Sequence, residues 1–484
     1  MGFIEGNNRD QIILESLNDY ISEDNPVRVI DAYVDQLEMK ELGFIRADRP
    51  TKGRPPYNPQ DLLKLYIYGY LNNVRSSRKL EDETNRNIEV MWLLKRLKPD
   101  FKTIADFRKD NKKALEKVFR DFNRLCDEWS LYGKELVAVD GSKFKAYNSK
   151  KNNYNKKKLK KHLKYIDDKI SKYMQAFDEK DKIESCDRKP NAKEIGEKIN
   201  KLKERKKKYE EYQKYLEETG KNEISTTDPD ARLMSNNNNG LDVSYNVQTT
   251  VDEKHKLLVD FKVIQNPNDL GQLAPMALRA KKLFGGKEFE ILADKGYYEA
   301  KGLRKCVDND ITPYSTKQAQ ANRTGNKDFY IDKFTYDKKE NVYICPAGKK
   351  LYLYRQRKEK GKVIGYQYRN TEACKSCQFK DKCTTSKTSR TIFRSIYQDT
   401  LDEIDLNTNM NMDKYKKRQT IVEHPYGTVK RGFGANYFLT KGKASVRAET
   451  ALSFLSYNMK RAMKIIGVKE ILGKLTQRRE PVLA

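Results

Sequence analysis

The sequence predicts an α/β protein. Its parts are a mixed-sheet core, a helical N-terminal region, a helical-hairpin insertion and a small β insertion that carries cysteines. Three observations predict this. Apolar residues recur at helical spacing through the first 130 residues or so. Two short apolar runs, LVAVD (136–140) and EFEILAD (288–294), have the length and composition of buried strands. Between them lies a charged stretch whose apolar residues alternate spacings of four and three.

The elements follow in chain order. Asn25-Pro26 predicts a helix start, with proline at the first helical position. Val29, Ile30, Tyr33, Val34 and Leu37 then share one face. A basic loop, TKGRPPYNP, precedes a helix through LLKLYIYGYL, and RNIEVMWLLKRL continues the pattern. Thr103 to Asp106 resembles an N-terminal capping signal. Arg75, Arg78, Lys79, Arg86, Lys95 and Arg96 lie between compact helices. Residues 1–130 are therefore read as a helical DNA-binding domain of helix-turn-helix type, a dimerisation module with solvated charges, or both.

The core is read as 131–150, 240–315 and 400–470. LVAVD predicts a strand ending in an acid. LDVSYNVQTTVDEKHKLLVDFKVI predicts two strands around a turn at Asp252–Lys254, and LAPMALRAKKL a helix. EFEILAD ends in a second acid, and residues 306–314 read as a further strand. The first insertion, 151–239, has apolar seams at Leu159, Leu163, Ile166, Ile170, Tyr173 and Phe177, then at Ile195, Ile199, Leu202, Tyr209 and Leu216. With Pro190 between them, the seams predict an antiparallel coiled-coil hairpin. Its Lys-rich start is either a solvated surface or a DNA contact. The second insertion, 316–399, is rich in tyrosine and short strand-like runs, and helices follow from about residue 409.

The charge narrows the function. With 98 Lys and Arg against 69 Asp and Glu, the net charge is +29, which points to a polyanionic partner, nucleic acid first. No run of apolar residues is long enough to span a bilayer, and the N-terminus lacks signal-peptide character, so a soluble intracellular protein with no membrane partner is expected. Seven cysteines are an odd count for a disulfide framework. Cys374, Cys377 and Cys383, with Cys345 upstream, fit either a tetrahedral zinc site or reduced thiols packing a small β element. Cys126, Cys186 and Cys306 have no visible partners. Three histidines make a histidine-based hydrolase improbable, and His255 and His424 read as ordinary side chains.

Phosphodiester chemistry needs an oxygen nucleophile made at neutral pH and a stabilised leaving oxygen, and divalent ions held by carboxylates supply both. Asp140 and Asp294 each end an apolar run, and acids ending adjacent parallel strands would stand side by side. A lone strand-terminal Asp is more often a turn or cap residue, so each alone is weak. Glu423 lies in MDKYKKRQTIVEHPYGTVKRGFG, and a continuous helix would set it on one face with Lys430. Pro425 would bend that helix.

Here the chain resembles a family. NPVRVIDAYVDQL, GRPPYNPQDLLKLYIYGYL, VDGSKFKA, LADKGYY and IVEHPYGTVKR are similar to segments of DDE transposases of bacterial insertion sequences. The likeness covers almost the whole chain. It is nearest to the insertion-sequence family numbered eleven-eighty-two, within the group resembling insertion sequence four. In that group the second acid is followed by one residue, Gly or Ala, and an aromatic, as Asp294, Gly296 and Tyr297 are. The third acid follows Tyr-x2-Arg-x3-Glu-x6-Lys, but here four residues separate Arg418 from Glu423, which puts the role of Arg418 in question.

The resemblance implies an RNase H-like core with Asp140, Asp294 and Glu423 as catalytic ligands of Mg2+ or Mn2+. It implies DNA contacts from Tyr415, Arg418 and Lys430, joined by Lys143 and Lys295 beside the first two acids. The implied partners are double-stranded DNA, as terminal inverted repeats and target, and further copies of the chain, since two ends must be held together. The implied reaction is cleavage at the element's ends and transfer of the 3′ hydroxyl to target DNA. Two rivals stand: a nuclease of the same fold that cuts without joining, and a non-catalytic DNA-binding protein.

Overall fold

Two Asn-Pro pairs start the first large helices. Asn25 accepts a hydrogen bond from the Val27 N–H and Pro26 opens the helix Pro26–Val34; Asn58 and Pro59 repeat this for Pro59–Leu71. The asparagine oxygen satisfies a donor with no partner inside the helix, and proline there gives up nothing. This computed structural model describes residues 10, 12, 14–48, 55–181, 192–235, 240–317 and 322–479, without the side chains of 176–181, 192–193 and 479. The start of the basic loop at 51–54, the side chain of Phe177, Cys186, Pro190 and the Asn236–Asn239 run lie outside the described residues.

The two helices are joined by a buried cation. Lys64 reaches Asp31 and Asp35, each at 2.6 Å. The capping signal falls elsewhere than expected. The helix Phe101–Asp110 is capped by Asp100, which accepts from the N–H groups of Lys102 and Thr103, and the Thr103 hydroxyl bonds back to Asp100. A carboxylate at the helix start outcompetes the threonine two residues inside it.

The central sheet begins with β1 (Leu136–Lys145). A two-stranded ladder of β2 (Asn153–Asn155) and β3 (Glu223–Ser225) closes the base of the first insertion. The sheet resumes with β4 (Arg232–Ser235), β5 (Leu241–Asp252), β6 (Leu258–Ile264), β7 (Phe289–Ala293) and β8 (Ile311–Tyr314). β1 is antiparallel to β5 and parallel to β7, and β7 is parallel to β8. Across the far edge of β5 lie β6 and, further along, β4. The order is thus β6-β5-β1-β7-β8, antiparallel on one side of β1 and parallel on the other. The strand expected over 306–314 is shorter, because Cys306 and Val307 end the helix Ala300–Val307.

The hairpin insertion forms as the seams require. Helices Lys156–Asp181 and Ala192–Thr219 pack together, burying Leu159, Ile166, Leu202, Tyr209 and Leu216. The second insertion is a five-stranded antiparallel sheet of β9 (Thr335–Asp337), β10 (Val342–Ile344), β11 (Lys350–Glu359), β12 (Lys362–Arg369) and β13 (Thr391–Ser395). Its core cluster is small: Phe334, Tyr343, Leu351, Tyr368 and Ile392.

One hydrophobic core runs through the N-terminal helices, the central sheet and the C-terminal helices. The 24-residue helix Lys443–Ile466 is its axis, packing on Lys112–Glu128, on Pro59–Leu71 and on β6. Arg75 belongs to this junction and not to an open DNA-reading face. It is buried, donates to the carbonyls of Gly434 at 2.6 Å and Tyr437 at 2.9 Å, and faces Glu449 at 3.4 Å. Cys126 and Cys306 are buried in the same core. Among the described residues, no helix is long and apolar enough to cross a membrane.

Candidate active site

Asp140 lies in the middle of β1. The strand runs on to Lys145, because β5 pairs with it antiparallel from Val137 to Lys145, past the point where β7 stops. The expectation that the strand ends at the acid therefore holds only for the parallel ladder, whose last pair is Val139 with Ala293. The next residues on the two strands are Asp140 and Asp294. Register alone sets these acids side by side at the open end of the parallel ladder.

Asp294 also does what an isolated strand-end aspartate does. Its Oδ1 accepts from the Gly296 N–H at 2.7 Å and caps a short turn over Lys295–Tyr297. Gly296 is needed here for closeness and not for a left-handed backbone: a Cβ on it would stand 2.9 Å from Asp294 Oδ1. One carboxylate oxygen is used by the turn, and a carboxylate has two.

Asp140 is held from behind. The Tyr426 hydroxyl lies 3.0 Å from the Asp140 carbonyl, 2.9 Å from that of Val247 and 2.9 Å from the Thr249 hydroxyl. In front, Arg418 approaches the Asp140 carboxylate at 4.0 Å. Burial pushes the Asp140 carboxyl up to about 6; Arg418 opposes this, while Asp294 and Asp269 add to it.

Asp269 is the residue the sequence reading missed. It lies in the loop between β6 and the helix Leu273–Leu283, and its Oδ1 accepts from Gln248 at 2.5 Å and Asn246 at 2.7 Å. Lys143 stands 3.6 Å away. Gln248 in turn accepts from the buried Tyr297 hydroxyl at 2.5 Å. Gly141 makes room for this network, since a Cβ there would stand 2.2 Å from Gln248 Nε2 and 2.4 Å from Asp269 Oδ1. The glycine directly after Asp140 was the available signal: it marks a place where something must come close.

The helix side is arranged differently. Met412–Gly427 packs on β1, β5 and β7, and Pro425 sits inside it. The helix runs through Pro425 to Gly427, and a wider π-type turn follows over Thr428–Gly432. Tyr415 reaches Thr316 at 3.1 Å. Lys430 lies along β1, donating to Ser142 at 2.6 Å and to the Lys143 carbonyl at 2.9 Å, and burial pushes its ammonium down to about 8. Lys295 is exposed. Glu423 is exposed and accepts from Gln419 at 2.7 Å. His424, the next residue, contacts Tyr457 at 2.8 Å.

The structure thus brings Asp140, Asp294 and Asp269 to one place, with Arg418 and Lys143. It leaves Glu423 on the open side of the neighbouring helix. Among the described residues, no three His, Cys, Asp or Glu side chains stand ready to hold a metal ion. The donor set nonetheless suits a hard divalent cation. It is oxygen-only, and burial, with smaller contributions from Asp294 and Asp269, raises the Asp140 carboxyl, a cost that a cation at the site would relieve.

Two family models match the chain. A transposase domain, DUF772, covers residues 15–110, and a transposase DDE domain covers 344–463. The second takes in the cysteines of the β insertion and the helix of Glu423, and begins after β1 and β7. Together the two matches, each over part of the chain, support a DDE transposase. No curated protein and no solved structure matches the chain.

Proposed function

We propose that this protein cleaves DNA at the ends of an insertion sequence and transfers the freed 3′ hydroxyl to target DNA, using an RNase H-like core. The observation that carries the reading is the parallel register placing Asp140 beside Asp294, in a chain of net charge +29 that two transposase models match. The strand order, three antiparallel strands followed by two parallel ones, supports that core.

Asp140, Asp294 and Glu423 would hold Mg2+ or Mn2+. A bound divalent ion supplies the charge that makes an oxygen nucleophile at neutral pH and steadies the leaving oxygen. Arg418 faces the same opening and would neutralise the scissile phosphate. Tyr415, Lys143, Lys295 and Lys430 would line the path of the DNA backbone, with Lys430 also anchoring its helix to β1. Asp269 orients Lys143 and Gln248 and thereby positions the strand that carries Asp140. Two ends must be joined, so at least two copies of the chain would assemble on DNA.

The test is a duplex carrying the element's end, incubated with purified protein and magnesium. Nicking and joining by the wild type, lost in an Asp294→Ala variant that still binds the duplex, is the expected result. Nicking without joining would indicate a nuclease. Binding without cutting under magnesium and manganese alike would leave a DNA-binding protein.

A further inference from the structure

The β insertion has a core too small to explain its order. Its five-residue core cluster serves five strands, and β11 buries only Leu351 of its ten residues. Elements with so little apolar burial are held by cross-links or metals in other small folds.

Four cysteines converge beneath this sheet. Cys345 follows β10 in a tight turn, where its N–H donates to the Lys349 carbonyl at 2.9 Å and the Gly348 N–H donates to its own carbonyl at 2.8 Å. Cys374 lies in the short helix Thr371–Lys375, Cys377 just past it, and Cys383 at the end of Lys380–Cys383. All four are free thiols, and all four line one cavity of about 30 Å³. The cavity leaves room for an ion between the thiols.

The cavity also holds an unanswered donor. Arg390 lines it, and its Nε is buried with no hydrogen-bond partner. Lys380 lines it as well. Two cations around four neutral thiols leave charge uncompensated, whereas four thiolates on a divalent ion carry a net charge of minus two and offer sulfur acceptors.

We infer that Cys345, Cys374, Cys377 and Cys383 bind one zinc ion as a tetrathiolate, with Arg390 and Lys380 compensating its charge. Binding converts four thiols and Zn2+ into the tetrathiolate complex and releases four protons, with no change of oxidation state. Among the described residues the thiols do not yet stand in ligating array, so they turn onto the ion by side-chain rotation. The site ties the β10–β11 turn to the segment that leads into β13. Its role is structural and separate from the carboxylates on β1 and β7.

The test uses the full chain, purified without chelator, with metal measured by mass spectrometry. The expected content is about one zinc per chain. It should persist in an Asp140→Asn variant and fall below about a tenth in Cys374→Ser/Cys377→Ser. Should that double variant fail to fold, cobalt titration of the wild type decides. Sulfur-to-cobalt charge-transfer bands with the intense visible bands of tetrahedral cobalt are expected, with proton release. A zinc-free protein whose four thiols alkylate equally with and without added zinc would overturn the assignment. So would cobalt spectra lacking sulfur bands, which would place the metal on oxygen ligands.

Discussion

The two sides of the candidate site are built by different means. On the sheet side, Asp140 and Asp294 are placed by backbone ladders, and Tyr426, Gln248, Asn246 and Asp269 brace them with hydrogen bonds of 2.5 to 3.0 Å. On the helix side, Glu423 projects from an exposed helical face, accepting a hydrogen bond from Gln419 of the same helix, next to Pro425 and a π-type turn. Sheet ladders fix a carboxylate before any ligand arrives. A helix that carries a proline in its last turn and is followed by a wide π-type turn can shift at small cost. On the proposed reading, the difference means that Asp140 and Asp294 would be preorganised, and that Glu423 would join them only when metal and DNA bind.

The largest effect should come from the preorganised pair. Asp140→Asn or Asp294→Asn should lower cleavage by at least about 10²–10³-fold while leaving duplex binding intact, because each removes charge from the reacting centre. Cleavage rates and gel-shift affinities on the same duplex check this. Loss of binding along with cleavage would mean that these acids hold the fold and not a metal.

Asp269→Asn should have a smaller effect, about 10–100-fold on cleavage, as expected for a group that orients others. Raising magnesium should recover part of the rate. An unchanged rate would remove Asp269 from the site and leave it as a packing residue in its loop.

The smallest effect is on the metal-free protein's pH dependence. The Asp140 carboxyl is raised to about 6, so its ionised form costs stability above that pH, and the cost fades as pH falls through 6 towards the ordinary carboxylate range. Wild type in chelator should therefore gain stability relative to Asp140→Asn as pH is lowered from about 8 to about 5. Parallel melting curves of both proteins would show the gap closing, and a constant gap would contradict the buried-acid account.

Much of this was legible in the sequence for identifiable reasons. The hairpin was, because its seams at Leu159, Ile166, Leu202 and Leu216 depend only on local periodicity. The placing of Asp140 beside Asp294 was, because both follow short apolar runs that fit buried strands, and those strands pair in parallel. Arg75 was misjudged, because nothing local tells a solvated arginine from one bonded to carbonyls some 360 residues away. Asp269 was invisible for the same reason: its partners Asn246, Gln248 and Lys143 come from other strands. The length of β1 was underestimated because GSKFK lacks apolar character, yet β5 pairs with it through to Lys145.

The most direct test of the comparison is manganese binding followed by electron paramagnetic resonance, with and without a duplex carrying the element's end. Wild type and Glu423→Gln should bind the ion alike without DNA, and only wild type should tighten when DNA is added. Asp140→Asn should bind weakly in both cases. If Glu423→Gln weakened metal binding equally with and without DNA, the helix side would be as preorganised as the sheet side. If it had no effect in either case, Glu423 would not be the third ligand.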